Sequence, residues 1–281
     1  MSSTDALGVD WLGFSRRAAK RVRAALDGLD GVAERGRAMG RGEGGDTTLA
    51  IDSLAEDVVF EELEALGVGL RAVSEERGVV EVAGGGRTRV VIDPIDGSLN
   101  AKRGLPAYSL SIAVADGDDM SSVVFGYVAD LARGEEWWAA RGEGAFLDGE
   151  RLTLRLPDDA RLEILGVETA DPRRVAKGAD ALAEMGAHRL RMIGSIALSL
   201  CYVASARFDG MLSLRTARSV DAAAGQLIVR EAGGAVAFPD AEGAAGLDLD
   251  MRSRVFAAGA KPLLDELLRL APEVQQSPRR A

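Results

Sequence analysis

A single cysteine, Cys201, leaves no partner for an intrachain disulfide, so this chain does not hold itself together by cross-links. Cys201 lies in the apolar segment Ile196–Ala204 and reads as a small core residue. Histidine is as scarce: only His188 is present, before a predicted strand and far from any acidic motif, so no histidine near such a motif can carry a covalent phosphate. Aromatics make up 5% of the residues, and no aromatic platform for a nucleotide base is evident. No run of about 18 apolar residues occurs, and the first residues lack the apolar core of a secretory leader. The expectation is a cytoplasmic protein. Positive charge is also short, with a formal net charge of −10, which disfavours nucleic acid as a partner. Lysine supplies four of the 34 basic residues and arginine the rest, a bias compatible with a salt-rich cytoplasm or with a GC-rich genome.

What is present is ordinary for a soluble enzyme. With 47% hydrophobic residues, 281 residues suffice for one large domain or two lobes sharing a core. Apolar spacing predicts a helix over Leu12–Leu29 and another from about Ser53 to Leu66. Short strands follow at Leu70–Ser74, Arg89–Ile92, Leu110–Ala115, Val123–Asp130 and Glu136–Ala140. The second half alternates: strand Leu162–Val167, helix Pro172–Met185, strand Arg189–Ile193, helix Ser195–Arg207, strand Met211–Leu214 and helix Asp221–Ala232. Two more strands near Ala235–Phe238 and Val255–Ala258 precede a last helix over Lys261–Leu270. Such alternation predicts an α/β (α+β) fold with helices covering the sheet faces. Gly84-Gly85-Gly86 lacks the lysine and hydroxyl of a phosphate-binding P-loop and the strand–helix setting of a dinucleotide fingerprint.

The most informative stretch is Asp93-Pro94-Ile95-Asp96-Gly97-Ser98, directly after the apolar run Arg89-Val90-Val91-Ile92. A strand here delivers two carboxylates into a turn that ends in a glycine and a hydroxyl. Hard divalent cations want oxygen ligands in a rigid frame, and two acids at a strand end supply them. Gly97 admits a close ligand, and its N–H with that of Ser98 can face an anion. Asp-Pro and Asp-Gly are also ordinary turn formers, so the alternative for the six residues alone is a surface turn. An acidic protein that acts on anions needs cations at its site, which fits bound metal.

Other blocks follow the same order and spacing as in a known family. They are Asp46 and Asp52, Ser74-Glu75-Glu76, the Asp93–Asn100 stretch, Arg141-Gly142-Glu143-Gly144-Ala145-Phe146, Gly194-Ser195, and Asp221-Ala222-Ala223-Ala224-Gly225 leading to Glu231-Ala232-Gly233-Gly234. Over roughly residues 5–270 the chain resembles the inositol monophosphatase / fructose-1,6-bisphosphatase superfamily, in particular its archaeal-type sugar phosphatases. The resemblance implies a layered αβαβα sandwich over residues 1–272 with a tail at 273–281, its lobes dividing near residue 158 and the metal site between them. It further implies two or three Mg²⁺ ions, with Mn²⁺ as a possible substitute. Asp93 would bridge two metals, Glu75 and the Ile95 carbonyl would bind the first, and Asp96 and Asp221 the second. Asp52 and Ser98 would orient and deprotonate a metal-activated water, with Glu75 part of the catalytic set.

Asp96, Gly97, Ser98, Gly194, Ser195, Arg215 and Arg218 would bind substrate, with Asp209 and Ser213 nearby. Arg215 and Arg218 either grip a second phosphate or pair with acidic neighbours. Four residues have bland alternatives: Asp52 as a helix cap with Ser53 and Glu56, Asp221 as a partner of a helix dipole, and Glu75-Glu76 as a solvated pair. The chain also departs from relatives, with Ser98 for a threonine, Val220 for a tryptophan, Leu49 for a threonine and Arg41 for a lysine near a third metal. The implied activity is Mg²⁺-dependent hydrolysis of inositol 1-phosphate and/or fructose 1,6-bisphosphate by a homodimer acting on small phosphorylated sugars. The alternatives are a nucleotide 3′-phosphatase, or a regulatory protein on the same fold.

Overall fold

The computed structural model describes residues 8–29, 31–43, 47–154, 162–241 and 243–274; Asp46 and the lobe boundary near residue 158 lie outside them. The N-terminal half contains α1 (Trp11–Asp27), α2 (Gly31–Arg35), β1 (Ala38–Arg41), β2 (Thr47–Leu49), α3 (Ala50–Ala65), β3 (Leu70–Ser74), β4 (Gly78–Val82), β5 (Arg89–Asp96) and α4 (Ser98–Arg103). Strands β6 (Ser109–Ala115), β7 (Val123–Asp130), β8 (Glu136–Ala140), β9 (Gly144–Leu147) and β10 (Glu150–Arg151) complete it. The C-terminal half contains β11 (Ile164–Glu168), α5 (Pro172–Lys177), α6 (Ala179–Glu184), β12 (Arg189–Arg191), α7 (Ile196–Ala204), β13 (Gly210–Ser213) and α8 (Ser219–Glu231). It ends with β14 (Ala235–Ala237), β15 (Phe256–Ala258) and α9 (Lys261–Val274).

Eight strands form the first sheet in the order β10-β9-β8-β7-β6-β5-β3-β4, and five form the second in the order β12-β11-β13-β15-β14. The larger sheet is antiparallel except where β3 runs parallel to β5, so both strands deliver their C-terminal ends to one edge of the molecule. Strand periodicity divides the core. Val90 and Ile92 pack towards α1 and α3, while Val91 faces α7 and α8. In the smaller sheet Met211 and Ala257 face the same helix pair, whereas Leu212 and Phe256 pack with Leu264 and Leu267 of α9. The layers are therefore helix, sheet, helix, sheet, helix, the αβαβα order expected. No helix among the described residues is long and apolar enough to cross a membrane.

Close packing explains the small-residue blocks. Helix α8 lies so near β7 that a Cβ on Gly126 would stand 2.7 Å from the Ala224 carbonyl oxygen. On its other side a Cβ on Gly225 would meet Leu200 of α7 at 2.7 Å. The Arg141–Phe146 block is a tight turn between β8 and β9 whose Gly142 and Gly144 N–H groups donate to the two oxygens of Glu231, at 2.9 and 3.0 Å. Those two blocks hold each other and belong to the architecture.

Several boundaries differ from expectation. Helix α3 begins at Ala50 instead of Ser53, and α8 at Ser219 instead of Asp221. The helix expected over Pro172–Met185 is broken at Gly178 into α5 and α6, and α9 runs four residues past Leu270. Helix α4 and the short strands β1, β2, β4, β9 and β10 were not anticipated. Strand β5 runs on through the acidic motif to Asp96.

Candidate active site

The extra length of β5 is what places its two acids. Residues an odd number apart on a regular strand point to opposite faces, and Asp93 and Asp96 are three apart. Opposite them, however, Asp93 pairs with Ser111 and Asp96 with Ser109, so three steps on β5 face two on β6. This bulge adds the residue that turns both carboxylates into the same cleft. Pro94, which has no N–H to donate to the ladder, sits inside the irregularity where that loss costs least.

The cleft encloses about 270 Å³ between the two halves of the chain. Its floor is acidic. Carboxylate oxygens of Glu75, Asp93 and Asp221 all lie within 4.8 Å of one another. Glu75 follows the end of β3, Asp93 ends the regular part of β5, and Asp221 sits in the first turn of α8. There Asp221 accepts the Arg218 N–H at 2.9 Å, so it holds the helix opening while its carboxylate remains one of the three clustered groups. Asp93 accepts the Ile95 N–H at 3.0 Å, which fixes its rotamer. Glu76 also lines the cleft but takes the Thr48 hydroxyl, and it stands outside the three-carboxylate group.

Burial and crowding raise Glu75, Asp93 and Asp96 together. Burial pushes Asp93 well above the usual carboxylate range, and the charges of Glu75, Asp96 and Asp221 add to it. Burial likewise carries Asp96 up to about 7 and Glu75 up to about 8, the latter against the opposing charge of Arg218. Arg218 donates to Glu75 in an ion pair shielded from solvent. Of the two roles open to Arg218, pairing with an acid is the one observed. Arg215 lines the cleft beside it.

The donor set fits a hard divalent cation: clustered carboxylates, Ile95 among the residues lining the cleft, and one buried carboxylate oxygen with no hydrogen-bond partner. That oxygen belongs to Asp52. As the third residue of α3, Asp52 accepts the Leu49 N–H at 3.0 Å with Oδ2, while Oδ1 has no hydrogen-bond partner. Helix α3 is therefore capped by Asp52 reaching back to Leu49, and the expected Ser53–Glu56 capping box does not form. Burial lifts Asp52 to about 6. Ser98, at the start of α4, donates its hydroxyl to the Ile95 carbonyl at 2.9 Å.

Gly97 has φ +96°, and a Cβ there would stand 2.9 Å from the Ala107 carbonyl oxygen and 3.2 Å from that of Gly194. Only glycine meets both demands. Gly194 lines the cleft, but Ser195 does not: it is 1% exposed and caps α7 by accepting the Leu198 N–H at 3.1 Å. Its hydroxyl donates to Asp96 at 2.7 Å, and the Ala197 N–H does so at the same distance. Ser195 thus orients Asp96 and is not itself a lining residue. Asp209 and Ser213 are also elsewhere. Asp209 accepts the N–H groups of Glu163 and Ile164 at 2.8 Å, and buried Ser213 accepts that of Val255 at 2.7 Å. Arg41 lies on exposed β1 outside the lining, and His188 is exposed.

Sequence reasoning missed the residues that hold the site. Buried Glu56 of α3 accepts the Ser74 hydroxyl and two bonds from Arg77, at 3.2 Å from its N–H and 3.1 Å from Nε. That ties the turn carrying Glu75 to the helix carrying Asp52. Glu168 and Asn100 were missed as well. A signal existed for Glu168, since it ends an apolar strand as Ser74-Glu75 does.

A model of the inositol monophosphatase family matches residues 12–277. A relative from Methanothermobacter thermautotrophicus, a fructose-1,6-bisphosphatase/inositol-1-monophosphatase, is 34% identical over 92% of this chain and 95% of its own. A protein of the same description from Archaeoglobus fulgidus is 36% identical over 92% of this chain and 98% of its own. Among solved structures, an inositol monophosphatase–fructose 1,6-bisphosphatase superposes with a TM-score of 0.80 at 26% identity, covering 93% of this chain and 100% of that one.

Proposed function

Because this chain belongs to the inositol monophosphatase family and is a phosphoric monoester hydrolase, we propose that it hydrolyses inositol 1-phosphate, fructose 1,6-bisphosphate or both, with Mg²⁺ as its metal. The observation that carries this reading is the meeting of Glu75, Asp93 and Asp221 within 4.8 Å, in one cleft with the unpartnered Asp52 oxygen. Glu75, Asp93, Asp96, Asp221 and the Ile95 carbonyl would hold two or three ions. Bound there, a divalent cation offsets the negative charge of the ester and acidifies water. Asp52 takes the proton from the attacking water: Leu49 fixes one of its oxygens and leaves the other available. With its pKa at about 6, Asp52 is ionised near neutrality yet still basic enough to accept that proton. Ser98 helps orient the water, and the Gly97 and Ser98 N–H groups meet the phosphate. A cleft of about 270 Å³ suits one small phosphorylated polyol. The proposal includes a cytoplasmic homodimer, which light scattering checks.

Phosphate release with Mg²⁺ from fructose 1,6-bisphosphate, inositol 1-phosphate, glucose 1-phosphate and adenosine 3′,5′-bisphosphate tests the substrate class. Turnover of one or both of the first two is expected. Release from the adenosine compound alone would transfer the assignment to nucleotides, and no release from any would end it. Arg215 lines the cleft and is the residue left to grip a second phosphate. Arg215→Ala should therefore lower kcat/KM for the bisphosphate by about 10-fold and for inositol 1-phosphate by much less. Equal losses on both substrates would remove Arg215 from that role.

A further inference from the structure

Glu168 closes β11 at 3% exposure, and a carboxylate so enclosed is costly unless donors surround it. Three do. Its Oε1 accepts the Ile193 N–H at 3.0 Å and the Ser199 hydroxyl at 2.6 Å, and its Oε2 accepts the Gly194 N–H at 2.9 Å. Two consecutive peptide N–H groups on the two oxygens of one carboxylate fix the orientation of that peptide, much as a fork would.

The segment held in this way reaches the cleft from several directions. The Ile193 carbonyl accepts Asn100 Nδ2 at 2.8 Å, and the same amide nitrogen donates to the Ala107 carbonyl at 2.8 Å. Asn100 belongs to α4, the helix that follows the acidic motif, so the bond joins the two halves of the chain. Gly194 lines the cleft with φ +81°. One residue on, Ser195 passes the constraint to Asp96. Glu168 itself lines no part of the cleft.

We propose that Glu168 is a positioning residue for the substrate side of the cleft: gripped by its carboxylate and clasped by Asn100, the Ile193–Ser195 segment sets Gly194 against the substrate and Asp96 at its working angle. This rests on the phosphatase reading above and on the substrate-side place that the family resemblance gives Gly194 and Asp96. In Glu168→Gln the amide group would oppose one of the two peptide N–H groups, freeing the segment at nearly constant volume. Asn100→Ala would loosen the clasp from the opposite side, at a partly exposed position that does not threaten folding.

Both variants should raise KM about 10-fold while lowering kcat less than about three-fold, the pattern of lost binding without lost chemistry. Calorimetric affinity for inorganic phosphate, measured with Mg²⁺ present, should weaken by a similar factor. If both variants keep the wild-type KM and phosphate affinity and show only a lower melting temperature, Glu168 is a packing residue and the proposal is overturned. A wild-type protein that hydrolyses nothing would instead overturn the phosphatase reading, and the phosphate-binding comparison would still decide the role of Glu168.

Discussion

Asp93→Asn is expected to lower Mg²⁺-dependent phosphate release by more than about 100-fold, since even the outer partners of metal ligands cost about 10- to 100-fold when lost. The fold should survive. Asparagine has nearly the shape of aspartate, and its oxygen can still accept the Ile95 N–H that Asp93 takes at 3.0 Å. What the change removes is a carboxylate crowded by burial and by the charges of Glu75, Asp96 and Asp221. In the presence of a chelator the variant should therefore melt at or above the wild-type temperature, while its response to added Mg²⁺ shrinks. Activity and stability moving in opposite directions is the mark of a group kept for its chemistry. A variant with near-normal turnover, or one that unfolds, would remove Asp93 from the place assigned to it.

Without metal, the wild-type protein should lose stability as the pH rises from about 4 to about 8, and Mg²⁺ should restore it most at the alkaline end. Asp52 moves from 3.8 to about 6, Asp96 from 3.8 to about 7 and Glu75 from 4.5 to about 8, all upward. Between the unfolded and folded values the native state holds protons that the unfolded chain has released. Its stability is thus fully present below the unfolded value and fades as the pH climbs through the folded one. A shift of two units at one carboxyl corresponds to about 3 kcal/mol. Glu135 and Asp240, held low by Arg207 and Arg254, act only near and below about pH 4 and leave this window untouched. Mg²⁺ binds the ionised carboxylates and not the protonated ones, so its stabilisation grows in the same direction. Melting curves with chelator and with Mg²⁺ across this range provide the measurement, and Asp93→Asn should flatten the difference. A chelated protein whose stability holds level or increases with pH would contradict the crowded-acid account.

Much of this site could be read before any coordinates, and the reason is local chemistry. Asp93 and Asp96 follow an apolar run, Glu75 follows another, and Asp52 and Asp221 stand at helix openings, so each acid carries a signal within its own few residues. Strand β5 was legible for the same cause, as were α1 and β7. What stayed hidden depends on partners distant in sequence. Helix α3 starts at Ala50 because Asp52 reaches back to Leu49, which looks like any apolar residue. Strands β9 and β10 are short, and the turn that leads from β8 into β9 is held by Glu231 from a helix far along the chain. Asn100 and Ile193 meet only when the two halves come together. Asp209 and Ser213 were misplaced because proximity in sequence to Arg215 says nothing about which side of β13 a residue serves.

The mismatch between β5 and β6 has a consequence for anyone who would move this chemistry to another scaffold. Copying Asp93 to Ser98 onto a flat sheet would transplant the letters and lose the arrangement, because parity would send Asp96 to the back of the host. The neighbouring strand, with Ser109 and Ser111 spaced one residue shorter, is the other half of the blueprint. A six-residue signature in this chain is therefore a property of two strands, and an engineered copy would have to carry both.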